Sequence, residues 1–305
     1  MKLSRKSFLK SSAVITGGAL LSGNKLLASL MREDNRLQNI RNNYGIYTEK
    51  GGSIGWYIDD DALIVVDTQF PDSAKNFLDL VRKKTARKID IVFNTHHHAD
   101  HTSGNVFLRN HTEKIVAQQN CPVLQRKRNA KPGEEDKLVY ADTTFKKDYS
   151  ADLGKETVNA SYFTHAHTGA DSVIHFEKAN IVHMGDLVFH NVYPYVNLED
   201  EAHLAGWIDY LNNAYNKFDD DTMFIFGHGR GNELDKVTGK KKDLLVMRDY
   251  LTALLDFTKK EIDKGKSMDE VAAVKSITGV TNRTENWDGA MAMNLREAYK
   301  ELTKK

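Results

Sequence analysis

Four histidines and an aspartate fall within six positions of "THHHADHTSGN": His96, His97, His98, Asp100 and His101. Neutral imidazole nitrogens suit zinc and other first-row metals, and a carboxylate adds compensating charge. In a tight turn, the pattern His-x-His-x-Asp-His lets His96 and His98 face one way while Asp100 and His101 face another. That arrangement favours two adjacent metal positions over one. Three further candidates each follow an apolar or β-rich run in a glycine-containing loop: His167 in "HAHTGAD", Asp186 in "HMGDLVF" and His228 in "FGHGRG". Two positions of about four ligands each, sharing one carboxylate, need roughly six or seven side chains. The stretch and the three loop residues together meet that need.

The elements around these residues are legible from their patterns. "GWYIDD" and "ALIVVD" flank the acidic turn Asp59–Asp61 as a hairpin. "QFPDSAKNFLDLVRKK" predicts a helix starting at Pro71 and Asp72, with Phe77, Leu78 and Val81 at helical spacing. "KIDIVFNT" then predicts a strand running into the histidines. Strand, helix, strand implies a right-handed crossover and a parallel pair, with the histidines at the C-terminal end of a strand. Further strands are predicted in "KIVAQQ", "TTFKKDY", "ETVNASYF", "DSVIHFE", "NIVHMGD" and "TMFIFGHG", with a helix in "EAHLAGWIDYLNNAYNKF". "RKRNAKPGEEDKL" has the composition of an exposed loop. From Lys240 the tail is helical, with Leu244, Met247, Leu251, Leu254 and Leu255 on one face and Trp287, Met291, Leu295 and Leu302 on another.

A net charge of +1 over 305 residues gives no sign of a nucleic-acid partner. The single cysteine, Cys121, excludes an intramolecular disulfide and a multi-cysteine metal site. The N-terminus is basic and free of acids, with an apolar run from Ala13 to Leu21 that is too short to span a bilayer. Residues 1–30 are therefore expected to be a signal peptide, similar to a twin-arginine signal with Lys6 in place of the second arginine. The expected product is exported, periplasmic and not stably inserted in the membrane. Residues 31–239 are expected to form the catalytic domain, and residues 240–305 to be helices packed on it.

"THHHADHTSGN", "HTGAD", "GDLVF" and "GHG", in this order after "ALIVVDT", resemble the metallo-β-lactamase superfamily across about residues 45 to 230. The resemblance implies an α+β fold, a four-layer αββα sandwich, here with a C-terminal helical extension. It assigns His96, His98 and His167 to one metal, Asp100, His101 and His228 to a second, and Asp186 to a bridge between them. Asp67 matches the aspartate that supports the loop beneath the metals. His97 falls at a variable position, and His165 is a neighbour of His167 without its role. His175 and His183 lie within strands and are expected to be structural. Tyr193 and Tyr195, after the bridging aspartate, are expected to line the substrate pocket.

The implied chemistry is hydrolysis by a dinuclear zinc site, with iron or manganese as the other metals considered. Two divalent ions beside Asp100, Asp186 and one hydroxide keep a residual positive charge. Such a site can present a metal-bound hydroxide near neutral pH and polarise a carbonyl oxygen. Asp100 is the candidate catalytic residue, as acceptor of the hydroxide's proton. Asp186 stands where true zinc β-lactamases resemble a cysteine or serine. The chain looks more like glyoxalase II-like members, and most like exported zinc metallohydrolases linked to quinoprotein systems. The expected substrate is therefore a small ester, thioester or lactone. β-Lactam hydrolysis, a mononuclear iron oxygenase of the persulfide dioxygenase type, a phosphodiesterase and a non-catalytic metal-binding protein remain alternatives. The complete second ligand set argues against the iron oxygenase. The mildly acidic chain beyond residue 30 argues against the phosphodiesterase. Oligomeric state is not legible.

Overall fold

A computed structural model describes residues 36–129, 137–231, 234–281 and 283–304. The expected signal peptide lies outside these residues. The first sheet runs in sequence order through β1 (Leu37–Arg41), β2 (Tyr44–Tyr47), β3 (Ile54–Ile58), β4 (Leu63–Val66), β5 (Ile89–Asn94), β6 (Thr112–Gln118) and β7 (Thr143–Phe145). The second contains β8 (Asp148–Leu153), β9 (Glu156–Ser161), β10 (Val173–Phe176), β11 (Ile181–His183), β13 (Met223–Ile225) and β15 (Thr238–Gly239), in the order β15-β13-β11-β10-β9-β8. A short parallel pair, β12 (Phe189–His190) with β14 (His228–Gly229), lies beside them.

Alternation along the strands builds the layers, because successive side chains leave a strand on opposite faces. In β4, Ile64 and Val66 meet Ile174, Phe176, Ile181 and Ile225 of the second sheet, forming the core between sheets. Leu63 and Val65 point the other way, against Phe77, Leu78 and Val81 of α1 (Pro71–Val81). In the second sheet, Val173, Val182 and Phe224 face outward. They share a cluster with Trp207, Tyr210 and Leu211 of α5 (Leu204–Lys217), Leu244, Met247, Leu251 and Leu254 of α7 (Lys241–Asp263), and Leu295 and Ala298 of α9 (Ala290–Thr303). The result is helix, sheet, sheet, helix, as expected. The remaining helices are α2 (Ala99–Thr102), α3 (Asn105–Leu108), α4 (Cys121–Asn129), α6 (Leu234–Val237) and α8 (Met268–Ala272).

The crossover through α1 makes β4 and β5 parallel, as the strand-helix-strand order predicts. "TTFKKDY" is not one strand. It breaks at Lys146 and Lys147, where the chain leaves β7 of the first sheet and enters β8 of the second. "RKRNAKPGEEDKL" is not wholly loop either, since Arg126–Asn129 form the last turn of α4. The second apolar face of the tail is also corrected. Trp287 precedes α9 rather than joining it, and Leu302 is exposed, while Met291 and Leu295 pack inward. Among the described residues, no helix is long and apolar enough to cross a membrane.

Candidate metal centre

β5 ends at Asn94, and the chain passes through His96 and His98 into the single turn of α2, which carries Asp100 and His101. One strand exit thus presents four donors. His167 comes from the loop between β9 and β10, Asp186 from a 3-10 turn (Gly185–Leu187) after β11, and His228 from β14 after β13. All seven side chains meet at one edge of the sandwich.

They meet as two groups. His96 Nε2 and His167 Nε2 each lie 3.1 Å from His98 Nδ1. They lie 3.8 and 3.6 Å, respectively, from Asp186 Oδ2. Beside this group, Asp100 Oδ2 is 3.6 Å from His101 Nε2 and 3.1 Å from His228 Nε2. Asp186 faces the second group as well, with Oδ1 3.1 Å from His101 Nε2 and Oδ2 3.3 Å from His228 Nε2. The donor set fits bound cations. Both Asp186 Oδ1 and His101 Nε2 are buried without a hydrogen-bond partner despite their proximity. Buried polar atoms in that state cost free energy unless a further group satisfies them.

The electrostatics agree. Burial, reinforced by neighbouring histidines, holds His96 and His167 well below the usual imidazole range, so they present lone pairs. Burial alone would raise Asp186 and Asp100, but His228 and His101 outweigh it and hold both carboxyls below their usual range. Conversely, Asp186 and Asp100 overcome burial to raise His101 and to lift His228 to about 10.

Outer carboxylates orient both groups. Asp67 Oδ2 is 2.8 Å from His101 Nδ1 and accepts from Thr95 Oγ1, while its Oδ1 accepts from the Thr95 amide. Asp67 holds this position with φ +61°, a left-handed backbone that aspartate tolerates better than most residues. Asp200 Oδ2 lies 3.2 Å from His98 Nε2, which directs His98 Nδ1 to the first group. His97 points to Asp200 Oδ1 at 3.5 Å, and burial lowers it to about 4. His97, His98 and Asp200 are close enough to hold an ion. However, Asp200 already accepts from Arg128 and Asn197, and His98 donates to it, so these residues form a hydrogen-bond network.

A cavity of about 370 Å³ opens over the donors, lined by His98, Asp100, Asp186 and His228 with Arg128, Phe189, Tyr195, Asn286 and Trp287. Tyr195 lines this cavity. Tyr193, expected beside it, is not among the lining residues: its ring packs edge-on to Tyr250 at 5.7 Å and its hydroxyl lies against Met291 Sδ. The Tyr193 amide donates to Thr284 O, which ties this segment to the one before α9. Sequence reasoning missed Asp200, Arg128, Phe189, Asn286 and Trp287. Phe189 follows "GDLV" directly and was the only one with a local signal. His165 lies near Glu201, 3.8 Å away and outside both groups. His175 and His183 occupy β10 and β11, as expected.

A model of the metallo-beta-lactamase superfamily matches residues 47–229. The metallo-beta-lactamase type 2 of Elizabethkingia meningoseptica is 21% identical over 202 residues, covering 63% of this chain and 78% of that protein. Among solved structures, the stereoselective inverting sec-alkylsulfatase Pisa1 from Pseudomonas sp. superposes with a TM-score of 0.71 at 16% identity. That superposition covers 88% of this chain but only half of the sulfatase. A metallo-beta-lactamase from Pontibacter korlensis superposes with a TM-score of 0.60 at 17% identity, covering 71% of this chain and 98% of that one.

Proposed function

Because this chain belongs to the metallo-beta-lactamase superfamily and is a metal-dependent hydrolase, we propose that it uses two zinc ions to hydrolyse an ester, thioester or lactone-type carbonyl in a small molecule. The observation that carries the reading is Asp186, whose carboxylate faces both donor groups at 3.1 to 3.8 Å. His96, His98 and His167 would hold one ion, Asp100, His101 and His228 the other, and Asp186 both. When bound, such ions supply a water of lowered pKa and a Lewis acid for the carbonyl oxygen.

The remaining work falls to the chain. Asp67 and Asp200 fix the orientation of His101 and His98. Asp100, at the cavity wall, accepts the proton of the attacking water. Phe189, stacked on His228 at 5.2 Å, forms the apolar wall on that side of the cavity. The core shared by α5, α7 and α9 supports treating residues 31–239 and 240–305 as one unit. The basic, acid-free start and its apolar run support action after export.

The test is elemental analysis of the purified protein with a panel comprising a thioester, a lactone, a cephalosporin, a sec-alkyl sulfate and a phosphodiester. The expected result is two zinc ions per chain with cleavage of a carbonyl substrate, and at most one ion with little activity in Asp186→Ala. Exclusive cleavage of the cephalosporin would replace the ester reading by β-lactam hydrolysis. One iron per chain, with oxygen uptake and no hydrolysis, would overturn the proposal in favour of an oxygenase.

A further inference from the structure

The cavity wall away from the donor groups has a chemistry of its own. Arg128, in the last turn of α4, keeps a third of its side chain exposed. Its Nη1 donates to Asp200, and its Nη2 donates to the Tyr195 hydroxyl at 2.8 Å. A guanidinium has five N–H bonds and stays charged at any working pH, so these contacts leave donors to spare. Asp200 balances that charge but occupies only one of the guanidinium's N–H bonds. It also accepts from Asn197 at 3.0 Å, lies 3.2 Å from His98 Nε2 and faces His97 at 3.5 Å. The Tyr195 oxygen accepts from Arg128 and, at 3.5 Å, from Asn197, which leaves its own proton for another acceptor.

Trp287 completes the wall, its ring centroid 6.2 Å from that of Tyr195. It belongs to the segment before α9, beyond residues 47–229 that match the superfamily. That segment is tied down. Arg283 donates to the carbonyls of Phe189 and Val192, and Thr284 exchanges backbone bonds with Asn191 and Tyr193.

We infer that the enzyme selects substrates carrying an oxyanion beside a flat or apolar body. Arg128 and the Tyr195 hydroxyl bind the oxyanion, and Trp287 covers the body. This selection rests on the hydrolase reading above but is separable from it. Carboxylate and sulfonate share the geometry that a guanidinium recognises, so both serve as probes.

The test uses the zinc-loaded enzyme with phenyl acetate, 4-acetoxybenzoate and 4-acetoxybenzenesulfonate. Arg128→Met is expected to lower kcat/KM for the anionic esters about 10- to 100-fold more than for phenyl acetate, the scale of a lost charge-assisted contact. Arg128→Lys is expected to recover part of that discrimination, and Trp287→Ala to raise KM for all three esters. A uniform loss with reduced zinc content in Arg128→Met would overturn the inference, because Arg128 would then act only by holding Asp200 against His98.

Binding of 4-hydroxybenzoate and phenol, followed by tryptophan fluorescence with Trp287→Phe as control, separates the two readings. If no ester is cleaved but 4-hydroxybenzoate binds at least tenfold more tightly than phenol, and Arg128→Met abolishes the difference, the hydrolase reading fails and the oxyanion site stands. Equal binding of the two compounds overturns the site.

Discussion

Removing the Asp200 carboxylate should weaken one metal position and spare the other. Asp200 Oδ2, 3.2 Å from His98 Nε2, fixes the tautomer in which Nδ1 carries the lone pair. That Nδ1 lies 3.1 Å from both His96 Nε2 and His167 Nε2. In Asp200→Ala the ring loses this constraint. Loss of such an outer partner typically costs about 10- to 100-fold in metal affinity, equivalent to about 1.4 to 2.7 kcal/mol. The second group has its own outer carboxylate, Asp67 on His101, so its affinity should change less than about threefold. Competition against a chromogenic zinc chelator would resolve the two dissociation constants. Asp200→Asn keeps an acceptor oxygen without the charge and should fall between wild type and alanine. The folding cost should be roughly 2 kcal/mol or more, because Arg128 is partly exposed and can rehydrate whereas His98 and Asn197 each lose an acceptor. Equal weakening of both constants, or of neither, would refute the assignment of Asp200 to His98 and the first group.

Three further outcomes are expected. A Cβ on Gly227 would lie 1.9 Å from Asp186 Oδ1, so Gly227→Ala should displace that carboxylate and bring the metal content below the proposed two ions per chain by elemental analysis. Asp67→Ala strips acceptors from the Thr95 amide, Thr95 Oγ1 and His101 Nδ1. At about 1 to 3 kcal/mol for each buried group left unsatisfied, it should destabilise the fold by roughly 3 kcal/mol or more in chemical denaturation. In the metal-free protein, His228 is raised from 6.5 to about 10. The folded state therefore holds this proton more tightly than the unfolded state does. Its stabilising contribution is full below pH 6.5 and is lost as pH rises toward 10. Metal-free stability should fall across that window, and the protein loaded with the proposed zinc, which would displace the proton from His228, should not follow.

The sequence and the structure each decide a different part of this site. His96, His98, Asp100 and His101 are legible because one strand exit and one helical turn carry them all, so spacing alone encodes their grouping. The α1 start at Pro71 and the parallel β4–β5 pair are legible for the same reason, since cap chemistry and crossover handedness are local rules. His167, Asp186 and His228 stand out only as a set in order, and their convergence needs both sheets. Arg128 looks like part of a polar loop until α4 carries it to Asp200, 72 positions away. Tyr193 and Tyr195 are equivalent in the sequence. Only the folded chain packs one ring, partly buried, against Tyr250 and leaves the other at the cavity. Trp287 fits a helical apolar face by spacing, yet α9 begins after it and the ring meets Tyr195 instead. The grouping of the four donors at the β5 exit thus follows from local pattern, because a few adjacent bonds set it. The outer carboxylates and the cavity wall depend on contacts between distant segments, and packing alone decides those.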